Sequence, residues 1–570
     1  MTTDHQDTDT AGLDTDVLVV GAGPAGLMLA TELRLGGAEV VVVDQRPGPT
    51  TESRASTLHA RTMEILDSRG LLDELGTPPC EPRGHFGGVP LDLTLPGPYP
   101  GQWKVAQTRT EELLQRRAAD LGADLWRRHQ LLSLTVTDGA DGTARGVEAE
   151  TIGPYGPVRI RARYLVGCDG EDSTVRRLIR APFPGQDARR ELLRADVSGI
   201  SVADRRFERL RHGLAIAATR DGVTRVMVHE FGRPVTERGG GEPDFTEVTD
   251  VWKRVTGEDI SQGTPLWVNA FGDANRQLAR YRHGRVLFAG DAAHRQMPSG
   301  GQALNLGVQD AFNLGWKLAA VVRGSAPEEL LDTYDTERHT VGRQVLANIR
   351  AQVELLLGGP EVEPARSLLT ELLAVDGVRR HLAGMISGLG IRYDVGGLTD
   401  DPDDPDRTVG TGVEGDGGDA GAVGGRGFGA DTALGAGIPS GDPAAGHPLL
   451  GHPLLGRRLP DAWLVPTEDG TRRRTTELLR TGRGLLLSLD GSGNGNGHGH
   501  GDGAAALRAA VEPWSDRVDF VAGPPEAGGP IPAGQALLVR PDGHVAWAGP
   551  RPDGLSGALT RWFGFPAGGD

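Results

Sequence analysis

Residues 290–318 read GDAAHRQMPSGGQALNLGVQDAFNLGWKL, and this stretch decides the fold. The apolar run Val286, Leu287, Phe288, Ala289 precedes it, so Gly290 and Asp291 stand where a buried strand meets a turn. Pro298, Gly300 and Gly301 keep the next turn tight and bare. Leu304, Val308, Ala311, Phe312, Leu314 and Gly315 then recur at three- and four-residue spacing, one apolar face of a helix. A glycine-rich turn feeding a helix aims free backbone N–H groups and a positive dipole at whatever lies in front of it. An acidic residue just before such a turn suits a sugar or ribityl hydroxyl better than a phosphate.

The partner of this stretch lies near the start of the chain. Asp16 to Val20 is a short apolar run expected to form a buried parallel strand. It runs into Gly21-Ala22-Gly23-Pro24-Ala25-Gly26, and Leu27 to Leu35 continue as a helix. Val40 to Val43 form the next strand, closed by Asp44, Gln45 and Arg46. In such a βαβ unit Gly21 makes the turn, Gly23 allows close approach to a pyrophosphate, and Gly26 lets helix and strand pack. Asp44 follows Gly21 by 23 residues, near the roughly 20 expected of a ribose-binding carboxylate. A third strand end, Tyr164 to Cys168 followed by Asp169 and Gly170, repeats the pairing of glycine with a carboxylate. Three such ends suit a long cofactor lying extended across a sheet, FAD, better than a visiting nicotinamide.

Composition narrows the classes. The chain has 570 residues, room for two or three domains, with 38% hydrophobic and 24% charged residues. A net charge of −17 and no basic, aromatic stripe argue against nucleic-acid binding. The two cysteines, Cys80 and Cys168, exclude a disulfide framework and a Cys-based metal site; no metal is expected, and the pair His498 and His500 is read as part of a loop. The polar first ten residues lack signal-peptide character, and no run of about 18 apolar residues is present. The expectation is a cytoplasmic protein without a membrane partner.

GAGPAG, CDGEDSTVR and GDAAH…GGQALN, in this order, resemble the class A flavoprotein monooxygenases of the para-hydroxybenzoate hydroxylase fold. Phrases such as SRASTLHARTMEILDSRGLLDELG, NLGWKLAAVVRG and LLVRPDGHVAWAG look like the aromatic-polyketide hydroxylases, the subgroup of anhydrotetracycline hydroxylase and rifampicin monooxygenase. The resemblance implies an α/β protein. A Rossmann-like FAD-binding domain of the glutathione-reductase type (15–182 and 286–400, with its helices) follows a disordered leader (1–14). An antiparallel-sheet substrate domain is inserted at 183–285, and helices bridge the domains. A Gly-rich linker (401–446) leads to a thioredoxin-like domain (447–570), which lacks cysteine and so thiol chemistry.

Carried onto matching positions, the resemblance implies that Gly21, Gly23, Ala25 and Gly26 cradle the pyrophosphate. Asp44, with Gln45 and Arg46, would take the adenosine ribose. Arg54 and Gln107 would contact the flavin side, and Asp169, Gly290 and Asp291 the ribityl and pyrophosphate region. Pro298, Gly300, Gly301, Gln302, Ala303, Leu304 and Asn305 would pass beneath the isoalloxazine, forming the oxygen-activation turn. Similar proteins often read PPTGGQGLN here; this chain departs with Met297, Ser299 and Ala303. Phe86, Trp103, Met227, Trp267, Phe271 and Met297 are candidate pocket residues, with core packing as the competing reading. His294 is read as turn packing or catalysis, Arg176 as a structural or functional cation, Cys168 as a buried small residue, and His59 and Arg61 as a solvated or salt-bridged helix face.

The implied chemistry is carried by the cofactor. NADPH (or NADH), visiting transiently because no second GxGxxG unit follows a strand, reduces FAD. Oxygen is taken up as a C4a-(hydro)peroxide, and one atom passes to a fused-ring aromatic polyketide in antibiotic biosynthesis. Baeyer–Villiger insertion and inactivation of a rifamycin-type antibiotic remain alternatives, and a homodimer is a candidate assembly. A halogenase is disfavoured by the lack of a Trp-x-Trp-x-Ile-Pro stretch.

Overall fold

The computed structural model describes residues 13–50, 56–138, 144–238, 241–396, 452–465, 471–490 and 501–566. Among them, the central sheet runs in the order Arg282–His283, Val286–Phe288, Gly156–Gly167, Leu13–Val20, Val40–Asp44, Asp124–Arg127. Every junction from Val286–Phe288 to Asp124–Arg127 is parallel; Arg282–His283 pairs antiparallel. Parallel strands are covered on both faces, which is why Val17 to Val20 and Val40 to Val43 are apolar without alternation and at most 6% exposed. The first strand begins at Leu13, not Asp16. Leu13 and Asp14, expected in a leader, pair with Ile160 and Arg161, because Gly156–Gly167 is long enough to receive them.

The Pro24–Leu35 and Gln302–Val322 helices cross on this sheet along a seam of small residues. A Cβ on Gly315 would stand 2.3 Å from Glu32 Cβ, and one on Gly36 2.4 Å from Ala319 Cβ. The seam joins the two motifs that bracket the first 310 residues.

The inserted region folds as a five-stranded antiparallel sheet ordered Arg205–Arg209, Gly213–Arg220, Val223–Glu230, Glu191–Ser198, Thr264–Gly272. Strand alternation divides its side chains. Leu193, Ala195, Val197, Ala215, Ala217, Val226 and Val228 bury one face against Val248, Val251, Trp252 and Val255 of the Phe245–Thr256 helix. Asp244 caps that helix by accepting from the Glu247 N–H at 2.8 Å, and Gly257 ends it with φ 80°. The other face, with Arg194, Met227, Asn269 and Phe271, looks toward the central domain. Residues 282–283 belong to the central sheet rather than the insert, since they pair antiparallel with Val286–Phe288.

The C-terminal region orders its strands Val518–Ala522, Gly484–Ser488, Ala536–Val539, Val545–Gly549. The first pair is parallel and the others antiparallel, and the helices Gly501–Val511 and Leu555–Phe563 complete a thioredoxin-like arrangement. Gly501 to Gly503, expected in a loop, open the first of these helices. The expected linker at 401–446, the first GHPLL copy and residues 491–500 lie outside the described residues. The hairpin turn 540–544 is docked rather than free. Its Pro541 and Asp542 carbonyls accept from Arg69 (2.9 Å) and Arg61 (2.8 Å), and Arg69 also pairs with Glu32. Behind it Lys317, Glu337, Arg540 and Asp542 form a fully buried ionic cluster. No described helix is long and apolar enough to cross a membrane.

Candidate active site

The three glycines of the first motif are glycine for different reasons. Gly21 has φ +106°, and a Cβ there would lie 2.3 Å from the Cys168 carbonyl oxygen; on Gly26 it would lie 1.9 Å from the Gly21 oxygen. On Gly23 it would meet only Arg46 Nη2, at 4.0 Å. Nothing in the surrounding protein demands a bare Gly23, so the cleft side of this turn is shaped for another molecule. Asp44 accepts from the Ala22 N–H (2.7 Å) and the Arg46 N–H (2.8 Å), while Gln45 is exposed. Beside it stands Arg127, which the sequence reading missed: its Nη1 is 3.6 Å from Asp44, and its buried Nε and Nη1 make no hydrogen bond among the described residues. Its only signal was its place at the end of a third parallel strand, within the charged run Trp126 to His129.

The second and third strand ends lie beside the first. Asp169 Oδ2 accepts from the Thr174 (2.6 Å) and Val175 (3.0 Å) N–H groups, capping the Thr174–Leu178 helix together with Ser173. Its buried Oδ1 has no partner among the described residues, and burial raises its carboxyl. Arg176 donates to the Ala292 and Glu171 carbonyls and lies over Phe183, which makes it a brace between the second and third motifs. Asp291 is open to the cleft, and its carboxyl is pushed up by the protein crowded around it. Ala25, Gly290 and Gly307 meet at one point: a Cβ on Gly290 would stand 3.1 Å from Ala25 Cβ, and one on Gly307 3.1 Å from Gly290 Cα.

Beneath them Asp310 accepts from the Gly290 N–H (3.2 Å) and pairs with His294 (2.7 Å) and Arg338 (2.7 Å). All three side chains are wholly buried. His294 therefore holds the turn and does not face the cleft. Burial opposes the Asp310 charge, yet Arg338 and His294 keep its carboxyl below the ordinary range.

The last turn is held from below. Gly300 and Gly301 have φ +63° and +71°, and both occupy the left-handed region that favours glycine. Asn305 accepts from the His59 N–H (2.8 Å) and donates to the Thr57 (3.0 Å) and Gly301 (2.7 Å) carbonyls, stapling the turn to the Thr57–His59 strand. His59 Nε2 sits 2.8 Å from the Gly300 oxygen. Of the solvated or salt-bridged face expected at 59–61, the solvated alternative fails and the salt-bridged one holds for Arg61. His59 is wholly buried and pushed down to about 4 by that burial, and Arg61 is buried against Glu64 and Asp542. The helix that follows has no side-chain cap at Gly301, so its first N–H groups face the cleft. Pro298 is exposed, Ala303 and Leu304 are half-buried, and Gln302 is buried with a free Nε2. Gln107 donates to Glu111 (2.9 Å), which in turn holds the Thr50 N–H. Arg54 lies outside the described residues.

The six apolar candidates separate. Met227, Phe271 and Met297 share one cluster with Leu192, Leu214 and Ile349 between the inserted sheet and the last turn. Trp267 stands beside them under Arg194, whose guanidinium lies 4.4 Å from its ring and 5.2 Å from that of Phe271. Phe86 belongs to another cluster, with Leu91, Leu93 and Ile386, and Trp103 packs into the central core.

The donor set fits FAD: a bare Gly23, an Asp169 oxygen without a partner among the described residues, an exposed Asp291 and an uncapped helix start lie at and beyond the ends of adjacent parallel strands. The FAD binding domain family matches residues 14–349, and the aromatic-ring hydroxylase C-terminal family matches 452–566. The chain is a flavin-dependent aromatic-ring hydroxylase. It is 40% identical, over 97% of this chain and 99% of the other, to the 12-dehydrotetracycline 5-monooxygenase/anhydrotetracycline 6-monooxygenase of Streptomyces rimosus. It is 36% identical to the rifampicin monooxygenase of Streptomyces venezuelae, over 96% and 98%. The solved structure of an aromatic hydroxylase from angucycline biosynthesis superposes with a TM-score of 0.81 at 44% identity, covering 97% of this chain and 100% of that one. As in other members of this hydroxylase family, FAD when bound supplies the activation of dioxygen. The protein's own part is positioning, exclusion of water and a positive helix end.

Proposed function

We propose that this hydroxylase oxygenates a fused-ring aromatic polyketide in antibiotic biosynthesis, with NADPH (or NADH) as a visiting electron donor. The full-length likeness to a tetracycline-pathway monooxygenase carries the reading. Met227 and Phe271, only partly buried on the face of the inserted sheet that carries Arg194, offer the apolar contact a planar ring system needs, while Met297 packs behind them. Gly21, Gly23 and Gly26 take the pyrophosphate, Asp44 and Arg127 the adenosine end, Asp169 and Asp291 the ribityl hydroxyls, and the 298–305 turn the ring. These residues bind and orient, while Asn305 and His59 hold the turn.

The test is product mass. Purified protein with FAD and NADPH is incubated in air with anhydrotetracycline-like, angucycline-like and rifamycin substrates. One added oxygen atom in a tetracyclic or angular product supports the proposal. Oxygenation of rifamycin alone replaces it with antibiotic inactivation, and absence of NADPH turnover with bound FAD refutes the donor.

A further inference from the structure

The Thr57–His59, Gln102–Lys104 and Cys80–Glu81 strands make a small antiparallel sheet against the oxygen-activation turn. Alternation sends Leu58 and Trp103 into the core and Thr57, His59, Gln102 and Lys104 to the opposite face. That face meets the turn. His59 Nε2 is 2.8 Å from the Gly300 oxygen, and a Cβ on Gly301 would stand 3.2 Å from Thr57 Cβ. Lys104 Nζ donates to Thr57 Oγ1 at 3.3 Å, one side chain away from Gly301.

Lys104 has no counter-ion among the described residues. Among the described residues no carboxylate comes within 4.0 Å of its half-buried ammonium. Glu81, the acidic group facing it, is taken up by the N–H (3.1 Å) and Nε (3.3 Å) of Arg83. The other groups around it are His59, His85, Arg206 and Arg220. Burial keeps both histidines neutral, pushed down to about 4. Arg206 reaches over from the inserted sheet to the Arg83 carbonyl (2.8 Å), and the His85 ring lies 4.0 Å from that of Phe207 on the same sheet. A cationic corner thus closes the cleft between the turn and the roof.

We propose that Lys104 is a specificity-determining residue that holds an ionised oxygen of the aromatic substrate beside the Gly300–Gly301 turn. A half-buried ammonium with no counter-ion is costly, and an arriving anion removes that cost. Fused-ring polyketides carry acidic phenols. On binding, the phenol gives its proton to solvent and keeps the electron pair on oxygen, while Lys104 stays protonated. The ionised ring is the more electron-rich one, as oxygen transfer requires. The inference rests on the aromatic-substrate reading above and selects, within that class, rings bearing an ionisable hydroxyl next to the reacting edge.

Full-length FAD-loaded enzyme is titrated with alizarin, a dihydroxyanthraquinone whose visible band moves when its phenol ionises. An opposite charge at this range lowers an acid's pKa by about one to three units, so bound alizarin should ionise at least about one pH unit below free alizarin. Lys104→Met should abolish the shift, and Lys104→Arg should retain it. Thr57→Val, which removes only the hydroxyl holding the ammonium, should reduce it, with FAD content unchanged in all three. A shift that survives Lys104→Met, or bound alizarin that ionises no more readily than free dye, overturns the role of Lys104 and leaves the hydroxylase reading intact. Failure of alizarin and of the tetracyclic substrates to bind at all refutes the aromatic-substrate reading, and this inference with it.

Discussion

Replacing Arg540 with Met tests whether the C-terminal region is fastened by buried charge. Arg540 donates Nη1 to Glu337 Oε1 at 2.6 Å, Nη2 to Glu337 Oε2 at 3.0 Å, and Nε to Asp542 Oδ1 at 3.1 Å. The side chains of Arg540, Glu337 and Asp542 are 0%, 4% and 1% exposed, so solvent does not screen the cluster. Burial alone would raise the Glu337 carboxyl, yet Arg540 and Lys317 carry it down to about 2. Met fills the slot between Trp562, 4.5 Å from the guanidinium, and Trp316 with little cavity, but it leaves Asp542 with only Asn313 and His544. Removing one partner of a buried pair costs about 3–5 kcal/mol, a large part of a protein's net stability. Adding Asp542→Asn removes the stranded charge and should recover part of the loss. The assay is denaturant unfolding followed by tryptophan fluorescence, which Trp316 and Trp562 report from the interface. The sign with pH also follows. A carboxyl held at about 2 against an ordinary 4.5 contributes stability above pH 4.5 and loses it as pH falls toward 2, and Arg540→Met should weaken that dependence. A variant that unfolds at the wild-type midpoint with the wild-type slope would refute the reasoning, as would a double variant worse than the single one.

Gly23→Ala should fold normally but bind FAD at least about tenfold more weakly, a loss of roughly 1.4 kcal/mol. Gly26→Ala, whose Cβ would stand 1.9 Å from a backbone oxygen, should lower the melting temperature even without cofactor; comparing FAD titration with melting separates the two. His59, His85 and His544 are each pushed down to about 4 from 6.5, chiefly by burial. Their stabilisation is complete above pH 6.5 and lost as pH falls toward 4, by about 3 kcal/mol each at the limit. A stability profile flat across that interval would contradict their burial.

The motifs that make cofactor clefts were legible because each is local. A strand, a glycine turn and a helix start sit within a dozen residues, and backbone geometry requires their residue types. Gly21, Asp44, Asp291 and Asn305 all lie where such units lead. What escaped was non-local or lay on short strands. Arg127 acts through a strand neighbouring Val40–Asp44 by pairing rather than by sequence, and Lys104 matters only because Thr57 carries it to Gly301. His59 and Arg61 read as a solvated or salt-bridged helix face, but the Gly300 turn covers His59 and the 540–544 hairpin covers Arg61. Phe86, Trp103 and Met227 look equivalent in the sequence. Only the tertiary packing separates a roof cluster from two structural ones.

The meeting of Ala25, Gly290 and Gly307 bears on the order in which the chain can mature during synthesis. The strand Val286–Phe288 and the Gln302–Val322 helix emerge from the ribosome more than a hundred residues after Gly156–Gly167, the strand they complete. Until then the Leu165–Gly167 edge stays unpaired and apolar, and the seam side of Pro24–Leu35 has nothing to pack on. Non-local closure of this kind is slow and leaves intermediates with exposed strand edges. A nascent chain that stops before Val286 therefore exposes that edge. FAD can become a folding ligand only late in translation, once half the protein is already made.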